Sequence, residues 1–331
     1  MNGEKPRIGI ALGSGSARGW AHIGALQELI SMGVRPDIVA GTSAGALVGA
    51  CYAAGKLDLL EEWALSLDWK NMVGLLDVRL IGGLLEGRKL FRFFEQYMDG
   101  MRISDLALPF GAVSTDLESG RELWLRDGLV IDAVRASISL PGVFRPYRTA
   151  NNRFLVDGGL VNPVPISLAR AMGADIVIAV NLNSEIVGKH LRNGARKLIR
   201  DASEEPKPKI LEVVNNAVPV DMDAHTSDPL IAEDKVQPEW LKRMAQWFTT
   251  EEDDAPAQEN LPGLMEVVAT AINIMQDRVT RSRMAGDPPD LLISPRLSHI
   301  AILEYYRAKE AIDEGRQAVR MIRPQIEALL F

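Results

Sequence analysis

Cysteine is nearly absent from this sequence. Cys51 is the single cysteine in 331 residues, so no disulfide can form within the chain. It lies in an apolar stretch, where a packed thiol is the expected state, and this count fits a reducing compartment. The residues before the first predicted strand carry charge and no apolar segment of the signal-peptide type. We therefore expect a cytoplasmic protein, and peripheral contact at the inner membrane surface is left open.

Histidine is also scarce. The four histidines are His22, His190, His225 and His299. No two of them have the spacing with which helices or hairpins bind a metal ion. We therefore expect neither a metal nor a cofactor.

One uncharged run reaches the lower limit for a membrane-spanning helix. Residues 38–55 contain no charged side chain over 18 positions. The run is only weakly apolar, because it contains four glycines, a Thr-Ser pair and many alanines. A buried strand, turn and helix is therefore favoured over a membrane span.

The net charge of −7 comes from one segment of the chain. Residues 201–260 contain 15 acidic and 5 basic side chains, whereas the rest of the chain contains 29 acidic and 32 basic ones. A near-neutral body of this kind does not resemble a nucleic-acid-binding protein, so we expect no nucleic-acid partner. The segment also holds prolines and many polar residues, which predicts an exposed, partly flexible acidic insertion.

Within the acidic insertion, residues 238–248 are amphipathic. One predicted helical face carries Trp240, Leu241, Met244, Trp247 and Phe248. A lid, an interfacial membrane anchor and a helix packed on the body all fit this pattern. The helix packed on the body is favoured, because the acidic residues around it would repel an anionic membrane.

A sharp turn in the uncharged run holds a serine. The apolar residues Ile38–Ala40 predict a buried strand, and the small residues 44–54 predict a helix. Ser43 lies between them in a G-x-S-x-G pattern formed with Gly41 and Gly45. Such a turn presents the serine side chain from a tight backbone, near the positive end of a helix. The pattern therefore predicts a nucleophilic serine.

A loop rich in glycine and serine follows the first predicted strand, residues 7–12. The loop spans residues 13–19 and precedes a helix, where backbone N–H groups bind either a pyrophosphate or a developing oxyanion. Its glycine spacing differs from the dinucleotide fingerprint. The second strand also ends at Gly41-Thr42-Ser43 instead of a ribose-binding carboxylate. We therefore expect an oxyanion hole formed by backbone N–H groups of residues 14–17.

Three motifs occur in order along the chain. They are the loop Gly13-Ser14-Gly15-Ser16-Ala17-Arg18-Gly19, the elbow Gly41-Thr42-Ser43-Ala44-Gly45 and the turn Asp157-Gly158-Gly159. Together they resemble the patatin-like phospholipase family, whose members carry a glycine-rich oxyanion loop, a serine elbow and a catalytic aspartate. The resemblance covers residues 7–183, with a looser similarity over 262–315. Ser14 and Ser16 depart from the family pattern, because they replace two of its glycines.

This resemblance implies roles for individual residues. Ser43 would be the nucleophile and Asp157 the base of a Ser-Asp dyad. Oxyanion stabilisation and substrate binding would fall to Ser14, Gly15, Ser16, Ala17, Arg18 and Gly19. Support for the two other motifs would come from Gly41, Gly45, Gly158 and Gly159. A Ser-His-Asp triad stays open as an alternative, although none of the four histidines has the sequence context of a catalytic base.

The expected fold is α/β, with a central, mainly parallel sheet and helices on both faces. Residues 1–200 would form the catalytic core, residues 201–260 the acidic insertion, and residues 261–331 the end of the core. That last part would contain a strand at 289–294 and closing helices from Ser298.

The expected function is hydrolysis of lipid carboxylic esters, of the phospholipase A or lysophospholipase type, through an acyl-enzyme on Ser43. The partner would be a lipid ester substrate. The alternative is a regulatory or adaptor protein on a patatin-like scaffold, with incidental esterase activity. In that case the acidic insertion would recruit the partner.

Overall fold

The structure, a computed structural model, describes residues 5–67, 96–184 and 264–330. The acidic insertion and the amphipathic helix predicted within it lie outside these residues, so the adaptor hypothesis stays a prediction. Contacts divide the chain into one compact unit, Met1–Pro206 with Val268–Phe331, and a second unit, Lys207–Val267. All of the site described below belongs to the first unit.

Eight strands form one mixed sheet within the described residues. They are β1 (Ile8–Leu12), β2 (Ile38–Thr42), β3 (Phe110–Asp116), β4 (Glu122–Leu125), β5 (Tyr147–Arg148), β6 (Phe154–Asp157), β7 (Ile176–Val180) and β8 (Leu291–Ile293). The path of hydrogen-bonded neighbours is β5-β6-β3-β2-β1-β7-β8, and β4 also pairs with β3. The four central pairings, from β3 to β8, are parallel, whereas β4, β5 and β6 pair antiparallel. The predicted α/β class is confirmed.

Helices accompany the sheet in the described ranges, and eight of them begin and end within these ranges. They are α1 (Ala21–Ser31), α2 (Ala44–Ala53), α3 (Leu57–Leu65), α4 (Val130–Ser137), α5 (Ile166–Ala171), α6 (Leu264–Gly286), α7 (Ala308–Met321) and α8 (Arg323–Leu330). Short 3₁₀ turns occur at Ser16–Trp20, Ile103–Asp105, Gly158–Leu160 and Tyr305–Arg307.

Helices cover both faces of the sheet because the central strands are apolar on both sides. In β1, Ile10 and Leu12 belong to a large core with α1 and α2, whereas Ala11 belongs to a smaller core with α5. Alternate residues of a strand point to opposite faces, so one strand serves both cores. This two-sided burial explains why the strands read as continuous apolar runs in the sequence.

The run at residues 38–55 is a strand and a helix, as the sequence favoured. It folds as β2, a turn at Ser43 and the ten-residue helix α2. None of the helices in the described ranges combines the length and apolar character that crossing a bilayer requires.

The C-terminal segment differs from the sequence-based expectation. A helix was expected from Ser298, but α7 begins at Ala308, after a 3₁₀ turn. The backbone carbonyls of Ile300 and Ile302 instead accept hydrogen bonds from the loop that follows β1. These long-range bonds replace the hydrogen bonds that a helix would make within itself.

Strand β3 brings the candidate nucleophile and the candidate base together. Strand β4 occupies one edge of β3, so β2 and β6 share the other edge. On that edge Thr42 pairs with Val113, and Asp157 pairs with Ser114. Because Ser43 directly follows Thr42, the end of β2 places it beside Asp157.

Candidate active site

Ser43 has the backbone of a strained turn. Its φ of 56° and ψ of −122° lie outside the regions that a residue with a side chain favours. The flanking glycines make the turn possible, because a Cβ on Gly41 would lie 2.5 Å from the Cα of Ala46. A Cβ on Gly45 would collide with the carbonyl of Leu12. The turn thus explains both glycines of the pattern by close backbone approach.

The backbone of the elbow is held by neighbouring polar groups. The Ser43 N–H donates to Ser137 Oγ at 2.8 Å, and Ser137 Oγ donates to the Val113 carbonyl at 2.6 Å. Thr42 Oγ1 donates to the Asn162 carbonyl at 2.8 Å. These bonds offset the strain of the turn by tying it to α4 and to the segment after β6.

Ser43 and Asp157 are in direct contact. Ser43 Oγ donates to Asp157 Oδ2 at 2.5 Å, and the Gly159 N–H donates to Asp157 Oδ1 at 2.7 Å. The backbone of Asp157 is held on both sides, since its N–H donates to the Ser139 carbonyl and its carbonyl accepts from Thr115 Oγ1. The carboxylate is therefore oriented toward the serine before any substrate binds.

Burial changes the acidity of Asp157. Its side chain is almost fully buried, and this desolvation raises its pKa to about 6. The hydrogen bonds from Ser43 and Gly159 oppose the shift, because they stabilise the charged form. A carboxylate with a pKa near neutrality is well suited to accept a proton in one step and return it in the next.

Two backbone amides in the loop after β1 lack a hydrogen-bond partner among the described residues. The N–H groups of Ser14, Ala17 and Arg18 donate to the carbonyls of Pro163, Ile302 and Gly15. Within the described part of the chain, the N–H groups of Gly15 and Ser16 donate to no acceptor. This narrows the predicted group of oxyanion donors, residues 14–17, to two amides.

Side chains at the start of this loop belong to a buried polar network. Ser14 Oγ donates to Gln276 Oε1 at 3.1 Å, and Asn183 Nδ2 bonds both the carbonyl and the hydroxyl of Ser14. The Arg18 guanidinium is buried and donates to the Ile300 carbonyl and to Asn183. Burial lowers its pKa to about 10, so it still carries its charge. Arg18 thus points into the protein and anchors the loop.

A narrow, mostly apolar crevice opens beside Ser43. It has a volume of about 40 Å³. The apolar lining consists of Trp20, Ala44, Leu47, Val48, Ile138, Leu140 and Phe144. The polar groups at its floor and rim come from Ser16, Ser43 and Tyr305. Gly19 completes the contact with α2, because a Cβ there would collide with Ala44.

Comparisons with known proteins decide the family. A family model described as Patatin-like phospholipase matches residues 10–170. An uncharacterised NTE family protein of Mycobacterium tuberculosis is 32% identical over 334 residues, which cover 95% of this chain and 90% of that protein. The chain belongs to the patatin-like phospholipase family. Its membership supports hydrolase activity on lipid esters in general.

Other relatives match a smaller part of the chain. The patatin-like phospholipase domain-containing protein 6 of Homo sapiens is 34% identical over 189 residues, or 54% of this chain and 13% of that protein. Among solved structures, VipD from Legionella pneumophila aligns over 99% of this chain and 80% of its own, at 14% identity and a TM-score of 0.43.

Within the described residues, no histidine is hydrogen-bonded to Ser43 or Asp157. His22 is fully buried, and desolvation lowers its pKa to about 4, so its ring is neutral. Its Nε2 lies 2.7 Å from the Gly13 carbonyl and donates to it, which steadies the start of the loop. His299 is exposed and pairs with Glu310. His190 and His225 lie outside the described residues.

Sequence reasoning missed three residues around the patatin-like site. Asn183 and Gln276 bind Ser14 of the loop, and Tyr305 lines the crevice. Asn183 had a usable signal, since it lies three residues beyond the end of the buried strand β7, where polar side chains often serve a site. Gln276 and Tyr305 had no such signal in the sequence. Gln276 lies in a helix and Tyr305 in a 3₁₀ turn, and both are more than 90 residues beyond Asn183 in the chain.

We predict that the elbow stores strain that glycine relieves. Ser43→Gly should be more stable than Ser43→Ala by about 1 kcal/mol, because relief of about 1–3 kcal/mol of strain exceeds the entropic cost of glycine. Both variants lose the same hydroxyl, so chemical denaturation compares the backbone alone. Ala44→Gly is the control, since it lies in the helical first turn of α2 and should lose about 0.5–1 kcal/mol. Equal stability of the two Ser43 variants would contradict stored strain.

Proposed function

We propose that this protein is a serine esterase that hydrolyses lipid carboxylic esters through an acyl-enzyme on Ser43, with Asp157 as its base. The observation that carries the proposal is the 2.5 Å hydrogen bond from Ser43 Oγ to a buried Asp157 carboxylate. Membership in the patatin-like phospholipase family supports a lipid ester as the substrate.

The first step acylates Ser43. Asp157 Oδ2 accepts the proton of Ser43 Oγ as the oxygen attacks the ester carbonyl carbon, and the carbonyl oxygen becomes an oxyanion. When the tetrahedral intermediate collapses, the bond to the alcohol oxygen breaks. The leaving oxygen takes the proton from Asp157, and the acyl group stays on Ser43.

Backbone amides would stabilise the oxyanion. The N–H groups of Gly15 and Ser16 have no acceptor in the part of the chain that the structure describes, and Ser16 lines the same crevice as Ser43. The positive end of α2 adds to this field, because its first amides follow Ser43 directly. Loss of one such donor typically costs about 10²–10³ in kcat.

The second step releases the acid. A water molecule gives a proton to Asp157 as it attacks the acyl carbon, and collapse of the new intermediate breaks the bond to Ser43 Oγ. The serine oxygen regains the proton from Asp157. The products are a carboxylic acid and the free enzyme, so one aspartate serves both steps.

The crevice lining supports an acyl group as the part of the substrate bound next to Ser43. Eight of its lining side chains are aliphatic or aromatic, and none of the described residues that line it is charged. Burial of a hydrocarbon chain against them would contribute about 0.8 kcal/mol for each methylene. The small volume favours side-chain movement upon binding of a long chain.

Covalent labelling tests the proposal. A fluorophosphonate should phosphonylate Ser43 Oγ, with loss of fluoride and transfer of the serine proton to Asp157. Intact mass spectrometry should give one adduct, and peptide mapping should place it at Ser43. Ser43→Ala should give none, whereas the control Ser104→Ala removes an exposed serine and should be labelled as fast as the wild type. Labelling at another residue, or of Ser43→Ala, would refute the proposed nucleophile.

A further inference from the structure

The C-terminal segment 300–305 holds the loop that carries the candidate oxyanion donors. The Ala17 N–H donates to the Ile302 carbonyl at 3.0 Å, and Arg18 Nε donates to the Ile300 carbonyl at 2.9 Å. Tyr305 contributes the two remaining bonds. Its carbonyl accepts from Trp20 Nε1 at 3.1 Å, and its hydroxyl lies 2.7 Å from Ser16 Oγ. The 3₁₀ turn of the loop is therefore bound at both of its ends.

The end bound by the Tyr305 hydroxyl is the strained one. Ser16 has a φ of 51°, a left-handed conformation that residues with a side chain rarely adopt. Its side chain makes one hydrogen bond among the described residues, to Tyr305. Its amide is one of the two in the loop that find no acceptor within the described ranges. Ser16 thus combines a left-handed backbone, an amide that is available to a ligand and a side-chain hydrogen bond to Tyr305.

We propose that Tyr305 is a positioning residue for ester hydrolysis, whose hydroxyl holds Ser16 in the left-handed conformation that turns the Ser16 amide toward the oxyanion. The proposal rests on the proposed function, because it assigns a role in the reaction at Ser43. Tyr305 lies 289 residues from Ser16 in the sequence, beyond residues 10–170 that the family model matches.

The surroundings of Tyr305 suit this role. Burial raises the pKa of its phenol to about 12, so the hydroxyl keeps its proton over the whole range in which Asp157 titrates. The ring packs edge-on against Trp20, with 6.1 Å between the ring centres. Phenylalanine at position 305 would keep this ring packing and would lose only the hydrogen bond to Ser16.

A double-mutant cycle between Ser16 and Tyr305 tests the proposal. For hydrolysis of a p-nitrophenyl ester, Tyr305→Phe should lower kcat about 10- to 100-fold, the cost of a misplaced oxyanion donor, with KM within about twofold. Ser16→Ala should lower kcat by a similar factor. The double variant, Ser16→Ala with Tyr305→Phe, should have the same kcat as either single variant. Ser16→Gly should have a kcat about 3- to 30-fold above that of Ser16→Ala, because glycine adopts positive φ without a side-chain anchor. In the S16G background, Tyr305→Phe should have no further effect.

Other results would overturn the inference. An unchanged kcat in Tyr305→Phe would do so, as would an equal loss in the S16G background, which would mean that the phenol contacts the reacting atoms. Tyr306→Phe is the matched control, since that hydroxyl bonds Glu304 and does not line the crevice. If Tyr305→Phe does not fold, a comparison of kcat between Ser16→Ala and Ser16→Gly still tests the proposal. Equal kcat values would refute a positioning role for the Ser16–Tyr305 hydrogen bond. Activity retained in Ser43→Ala would refute the proposed function instead.

Discussion

Replacement of Ser43 by alanine is expected to lower kcat for ester hydrolysis by roughly 10⁴- to 10⁶-fold, the loss typical of a removed serine nucleophile. The expected loss is large because Ser43→Ala removes the hydroxyl oxygen that would attack the ester and that donates its proton to Asp157. The substituted side chain fits the same turn, so the fold should be kept. Initial rates on a p-nitrophenyl ester and on a phospholipid measure the effect.

Two controls show whether the loss of kcat is specific to the Ser43 hydroxyl. Ser104→Ala removes an exposed serine of a 3₁₀ turn and should leave kcat unchanged. KM of Ser43→Ala should change little if residual turnover is measurable, since the apolar lining of the crevice is intact. A loss of less than about tenfold would show that another group is the nucleophile.

Replacement of Asp157 by asparagine has the second largest expected effect on turnover. The amide has almost the same shape but cannot accept the serine proton, so kcat should fall about 10²- to 10⁴-fold. The pH profile adds a sharper test. Wild-type kcat/KM should rise with pH up to about 6 and then level, because only the carboxylate form of Asp157 is a base. The residual activity of Asp157→Asn should lack this step.

The same substitution should change the pH dependence of stability. The pKa of Asp157 is about 6 in the folded protein, against an ordinary value of 3.8. Because the folded state holds the proton more tightly, the aspartate costs no stability below pH 4, and its cost grows as the pH rises to about 6. The total is about 3 kcal/mol by linkage. Relative to the wild type, Asp157→Asn should gain stability by up to this amount between pH 4 and pH 7.

Urea denaturation at pH 4, 5, 6, 7 and 8 measures this difference, since other titrating groups cancel between the two proteins. The difference in free energy of unfolding should increase up to about pH 6 and then stay constant. A difference that is the same at every pH would mean that Asp157 has an ordinary pKa, and the proposed proton acceptor would lose its support.

Much of the fold could be predicted from the chain because its signals are local. The strands β1, β2 and β7 are continuous apolar runs, and burial on both faces of the sheet produces that pattern. The closing helices were harder to place. Residues from Ser298 have helical periodicity, but Ile300 and Ile302 give their carbonyls to the loop after β1, so α7 begins at Ala308.

Adjacent residues were enough to specify the elbow at Ser43. A strand, a G-x-S-x-G turn and a helix follow one another, and the two glycines are needed where the backbone approaches itself. The family resemblance likewise rested on short motifs, and the homologues confirm it. Such features depend on neighbours in the chain, so a single sequence contains them.

Long-range contacts determine how those motifs are placed relative to one another. Ser43 meets Asp157 across 114 residues because β2 and β6 share one edge of β3. Which amides of the loop are free depends on carbonyls of Pro163 and Ile302, and the partner of Ser16 is 289 residues away. Periodicity and spacing do not encode such partners, because a hydrogen bond depends on atomic positions that packing of the whole core creates.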